Sequence, residues 1–284
     1  MGQTRSIIIG LALVLGQTAI ASAEGLDLPP PPVMVEPVCA TCAGPIYLKG
    51  FIGAANPNVG NIWFEEMEFN DFEFFHMDIK NSALFGLGVG YQLNSWFRFD
   101  VTGEYRGRSA FFAQDRYPGG NGTFDIESNL LDETFVPGTN EYTADIESWV
   151  GFANGYIDLG KWWCVTPYVG GGLGFASLSV LGLKDVNVPN LGVAYARDHT
   201  DTNFAWAVYA GLAYDVTPGF TIDLSYRYTD LGDTRSGNLI AYDDSFVDGA
   251  PVHINDITSH DLMLGVRMKL GHEPAVAPMP VAFK

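Results

Sequence analysis

Four ionisable residues recur at even spacing in one short stretch, WFRFDVTGEYRGR at 96–108: Arg98, Asp100, Glu104 and Arg106, with Arg108 continuing the series. Even spacing puts them on one face of a β-strand, opposite Phe97, Phe99, Val101, Gly103, Tyr105 and Gly107. Asp223 with Arg227, and Asp261 with Arg267 and Lys269, repeat the pattern near the end of the chain, and Asp158 closes an earlier stretch. Charges of both signs on inward faces are tolerated only when paired. Antiparallel pairing of the last two stretches brings Asp223 near Arg267 and Arg227 near Asp261. The expected chemistry is a salt-bridged network that fills a lumen; a gated or selective constriction is the functional alternative.

Other reactive residue types give weaker patterns. His76 and Met77 sit among aromatics in FEFFHMDIK, residues 72–80. They offer a conceivable haemin contact, against the plainer reading of packed loop residues. Ser259 and His260 are adjacent, so a strand points them to opposite faces and they make a poor nucleophile and base. Cys39 and Cys42 form CATC in a Pro-rich stretch and fit a small disulfide better than a redox or zinc site. Cys164 stands alone, free in that arrangement or paired with either of the other two. GLGVG at 86–90 lies within a strand and opens no helix, so it is no nucleotide loop. No catalytic residue, cofactor or metal is implied.

These residues need a frame to hold them. The chain has 284 residues and a net charge of −18, which excludes a phosphate-neutralising nucleic-acid surface. Arg5, the apolar run at 7–15 and ASA at 21–23 read as a signal peptide over 1–23. Residues 24–44 form a Pro-rich leader, expected in the periplasm, and 272–284 a Pro-containing tail. Between them, 45–271 carries eight strand-like segments: 45–55, 82–93, 97–108, 146–160, 166–179, 203–215, 220–230 and 260–270. Short connections alternate with long ones at 56–81, 109–145, 180–202 and 231–259. Strict alternation places every long loop at one rim and the short turns with both termini at the other.

Volume decides which face is inside. One face of 204–229 offers Phe204, Trp206, Val208, Ala210, Leu212, Tyr214, Phe220, Ile222, Leu224, Tyr226 and Tyr228; the other offers the smaller or thinner Ala205, Ala207, Tyr209, Gly211, Ala213, Thr221, Asp223, Ser225, Arg227 and Thr229. An eight-stranded lumen has no room for the first set, so the bulky face looks outward into lipid. Trp96, Trp162 and Trp163 fall at the short-turn rim and Trp149, Trp206 and Tyr228 near the other, as aromatic girdles do. The expected fold is all-β: an eight-stranded antiparallel up-and-down transmembrane β-barrel with four long extracellular loops. A soluble lipocalin-type barrel, apolar inside, is the alternative. Most of the acid lies in the long connections. A solvated surface explains it, and divalent bridging to lipopolysaccharide is the functional reading.

PYVGGGLGFA at 167–176, FAWAVYAGLAYDVTPGFTIDLSYRYTDLG at 204–232 and HDLMLGVRMKLG at 260–271 resemble the closing strands of OmpA-like, opacity-type small barrels of alphaproteobacterial outer membranes. The resemblance covers most of 45–271. It implies outer-membrane location, contact with outer-membrane lipid and lipopolysaccharide, and insertion by the barrel-assembly machinery. For function it implies a range from envelope structure to narrow pores, adhesion and, in some members, haemin binding. An external ligand is not indicated. The chain departs from the family pattern at its last strand, where Met268 and Leu270 replace the expected aromatics and 14 residues follow.

Overall fold

The structure is a computed structural model that describes residues 45–64, 73–116, 138–189, 191–243 and 249–271. The expected signal peptide, leader and tail lie outside the described residues. Twelve strands follow in chain order: β1 (Ile46–Asn58), β2 (Asn61–Phe64), β3 (Glu73–Ile79), β4 (Ser82–Gln92), β5 (Phe97–Arg116), β6 (Asn140–Asp158), β7 (Val165–Asn187), β8 (Gly192–Ala196), β9 (His199–Thr217), β10 (Phe220–Arg235), β11 (Leu239–Ala241) and β12 (Val252–Lys269). Eight of them close an antiparallel ring in the order β1, β4, β5, β6, β7, β9, β10, β12 and back to β1. The other four extend its upper end: β2 pairs with β12, β3 with β5, β8 with β7, and β11 with β8.

The register fixes the ring's geometry. Stepping from Tyr47 through Gly90, Asp100, Asn154, Gly172, Ala207, Thr229 and Ser259, each opposite the last, returns to β1 at Pro57, ten residues above the start. Eight strands with that stagger tilt about 40° from the barrel axis. The lumen is then only wide enough for side chains. Gly86 and Gly90 of β4 show the fit, because a Cβ there would strike the Phe51 and Tyr47 rings that enter from β1.

A tilted strand crosses hydrocarbon in about 9–11 residues. β5, β6, β7, β9 and β12 run to 20, 19, 23, 19 and 18 residues, so the barrel continues well beyond an apolar belt. Within the belt the outward residues are large and apolar and are exposed: Ile52, Leu87, Val101, Leu173, Leu224 and Leu264. The inward ones there are charged, polar, aromatic or small, and are buried. Above it the polarity inverts. Ile79, Phe111, Ile146, Leu178, Val180, Leu183, Leu231, Ile254 and Ile257 are buried inside, while Lys80, Arg108, Thr143, Thr200 and Asp233 are exposed outside. Each face answers its surroundings. Against lipid the outer face is apolar; against water the outer face is polar and the inner one supplies the core.

β-Bulges mark the change. β5 gains a residue between Arg106 and Ser109, β7 one at Gly182, β10 one at Gly232 and β12 one at Asp256. Gly182, Gly232 and Asp256 adopt positive φ there. Each extra residue switches which parity faces inward. Arg108, expected to continue the inward charged row, is therefore turned out and pairs with Glu147 at 3.3 Å. The long connections are corrected in the same way. Much of 56–81, 109–145, 180–202 and 231–259 is strand around an apolar core, where the sequence alone reads as loop.

Candidate functional site: a charge network across the lumen

The inward rows meet in two layers. The upper layer holds Glu104 and Arg106 of β5, Arg227 of β10 and Asp261 of β12, all buried. β5 and β10 are four places apart in a ring of eight, on opposite walls. Arg227 spans the lumen, with Nη1 2.7 Å from Glu104 Oε2 and Nη2 2.8 Å from Oε1. Its Nε donates to Asp261 Oδ2 at 2.8 Å. Arg106 closes the quartet, donating to Glu104 at 2.9 Å and to Asp261 at 2.7 and 3.2 Å. Thr229 and Ser259 hydroxyls also donate to Asp261. Two guanidinium groups and two carboxylates leave the layer neutral, and the forked geometry satisfies both partners.

The lower layer centres on Asp100, which faces Lys49 Nζ at 3.3 Å, Asn154 Nδ2 at 2.7 Å and the Tyr47 and Tyr156 hydroxyls at 3.2 and 3.3 Å. Tyr209 of β9 donates to Asn154 Oδ1 at 2.8 Å, reaching past β7. Arg98 lies with its guanidinium 4.2 and 4.4 Å from the Tyr156 and Tyr168 ring centres, and its Nε meets Asp158 at 3.1 Å. Arg98 Nη2 has no hydrogen-bond partner among the described residues, and the two ring faces offset that loss. Arg267 pairs with Asp223 at 2.5 Å. Lys269 is partly exposed at the lower end of β12. Between the layers a cavity of about 10 Å³, bordered by Lys49, Tyr209, Asp223, Ser225 and Arg227, is large enough for about one water.

Geometry therefore brings together Asp223 with Arg267 and Arg227 with Asp261, the two pairs expected from register, and adds the cross-lumen contacts that pairwise register does not show. Alternation places Tyr209 inward without a partner, and Lys49, Tyr47, Tyr156, Tyr168 and Asn154 were missed. Parity along IYLKGF would have placed Tyr47 and Lys49 inward with Phe51. The tyrosines carry no charge signal.

The remaining candidates lie elsewhere. His76 and Met77 are exposed on β3, with the His76 ring edge-on to Phe112 at 5.5 Å. Ser259 is buried and inward, whereas His260 is exposed on the outer wall, where Tyr226 Oη lies 2.6 Å from its Nδ1. Cys164 is disulfide-bonded. That agrees with the second arrangement left open by the sequence, in which Cys164 is not free. Cys39 and Cys42 themselves lie outside the described residues.

Residues 49–269 match the model of the outer membrane protein beta-barrel domain. The chain belongs to this family. Among its relatives is an uncharacterized protein of Brucella suis biovar 1, 27% identical over 277 residues, covering 88% of this chain and 93% of that protein. Outer membrane protein PagN of Salmonella typhimurium is 32% identical over 115 residues, 40% of this chain and 46% of PagN. Similar solved structures include Neisserial surface protein A, at 17% identity and a TM-score of 0.44 over 79% of this chain and 97% of that one. OprG from Pseudomonas aeruginosa matches at 14% identity and a TM-score of 0.46, over 81% and 99%. Family membership places the barrel in the bacterial outer membrane.

Proposed function

We propose that this protein is a structural and surface-exposed outer-membrane barrel that supports envelope integrity or surface interactions and does not act as a general pore. The observation that carries this is the double closure of the lumen. Arg227 reaches Glu104 on the opposite wall within a neutral quartet, and buried Ile79, Phe111, Ile146, Leu178 and Ile257 fill the ring above. A hydrated ion would have to displace paired charges and then cross an apolar layer.

The proposed orientation puts the short turns at 93–96, 159–164 and 218–219, with both termini, in the periplasm. The upper extension then stands outside the cell, rising through the lipopolysaccharide layer. The alternation of connection lengths supports that direction. Insertion by the barrel-assembly machinery follows from the same reading. A non-enzymatic role is supported by Ser259 and His260, which face opposite sides of the wall.

Planar-bilayer recording of purified, heat-modifiable protein tests the closure. The expected result is no stable conductance; a large, stable one would establish a porin instead. Proteolysis of intact cells tests the direction, with cuts expected in 109–145 and not in 24–44.

A further inference from the structure

Every inward acid of the two lumen layers has an arginine or lysine partner: Asp100, Glu104, Asp158, Asp223 and Asp261. Among the described residues, two carboxylates near the upper rim do not follow that rule. Asp115, on β5, is fully buried; Asn140 N and Nδ2 and the Tyr142 hydroxyl donate to it at 3.0, 3.1 and 2.7 Å. Asp185 faces it from β7. Its Oδ1 is enclosed and has no hydrogen-bond partner among the described residues. Lys184, the next residue along β7, is turned the other way, over the Tyr195 ring of β8. Around the pair stand Asn140 and Tyr142 of β6, Asn187 of β7, Ala194 of β8 and Asp243 in the turn after β11, several of them bordering a cavity of about 310 Å³. The charged groups named around Asp185 are thus acids, with the Tyr142 phenol beside them.

We propose that a proton on Asp185 latches the short β8–β11 flap against the upper end of the barrel. β8 is five residues long and joins β7 through four register pairs, among them Asp185 opposite Ala194. β11 is three residues long, pairs with β8 and, among the described residues, is otherwise tied by a single bridge from Leu239 to Gly249. β6 and β5, on the other side, are paired along nearly their whole length. When Asp185 loses its proton, an ionised oxygen without a partner must draw in water, and the flap is the wall that can yield. Burial, and secondarily the Asp115 charge, push the Asp185 carboxyl up to about 7. An opened flap would return it to the ordinary carboxylate range, near 4. Closure is therefore most stable below about pH 4, weakens as pH rises from there to about 7, and is level above.

Amide hydrogen exchange of the full chain in lipid nanodiscs, corrected for intrinsic rates, tests the latch. Protection at 192–196 and 239–241 should fall about a hundredfold between pH 4.5 and 7.5, with no matching fall in the lower halves of β9 and β12. Asp185→Asn should hold the flap closed at both values. Asp115→Asn should move the midpoint down. No fall in the unmutated chain, or the same fall in Asp185→Asn, overturns the proposal. Should Asp185→Asn fail to insert, the carboxyl carbon shift of Asp185 in the unmutated chain decides. A midpoint near 7 supports the latch, and one in the ordinary carboxylate range overturns it.

Discussion

Arg227 on β10 and Glu104 on β5 face each other from opposite walls of the ring and meet through two parallel hydrogen bonds of 2.7 and 2.8 Å. Both side chains are about 1% exposed. Removing either partner leaves the other's charge buried and short of ligands, at a cost of about 3–5 kcal/mol. Arg227→Ala and Glu104→Ala should each lower the urea midpoint of refolded protein by that amount. The double change leaves Arg106 and Asp261 as a neutral pair, so its loss should be smaller than the sum of the two single losses. Additive losses would show that the quartet does not act as a unit.

How much of this was legible depends on where alternation persists. The strand ends read from the sequence, 108, 179, 230 and 260, fall beside the bulges at Arg106–Ser109, Gly182, Gly232 and Asp256. Period-two patterning stops where one residue is inserted, so strands that continue read as loops. The polarity inversion adds to the effect, because an apolar residue above the bulge lies inside and the same residue below lies outside. The ring, its parity within the belt and the inward charges were readable from side-chain volume. The cross-lumen partners were not. Arg227 and Glu104 are 123 residues apart, and only the ten-residue stagger brings them to one height.

Orientation of the two faces can be tested in strand pairs. Leu264 is half exposed on the outward belt and Ser225 is buried in the lumen. Leu264→Arg should cost roughly 2–4 kcal/mol near the bilayer midplane and impair assembly. Ser225→Arg places its charge on the polar inner face, where crowding is the only obstacle, and should retain more heat-modifiable barrel. If the first variant assembles normally and the second does not, the faces have been assigned the wrong way round.

The Cys164 bond makes a covalent prediction. A non-reducing digest of protein from fresh membranes should link a peptide containing Cys164 to one containing Cys39 or Cys42. Cys164→Ser should then release that link and expose one further thiol to labelling. A Cys39–Cys42 linkage with Cys164 alkylated would restore the pairing expected from spacing alone.

Conductance separates the two closures. From the inward charges alone, removing Arg227 and Arg267 would be expected to open the lumen, because it deletes bulk and frees Asp223 and Asp261 to attract cations. The apolar layer changes that expectation. Phe111, Ile146, Leu178 and Ile257 lie above the quartet and do not touch its charge balance. Arg227→Ala with Arg267→Ala should therefore admit water into the lower half yet give no stable cation current across a planar bilayer. Adding Phe111→Ser and Leu178→Ser would hydrate the second barrier, and brief cation-selective openings should follow. Stable current in the arginine double variant alone would place the closure in the charge network, and the upper core would then be a scaffold for the exposed rim with no part in sealing it.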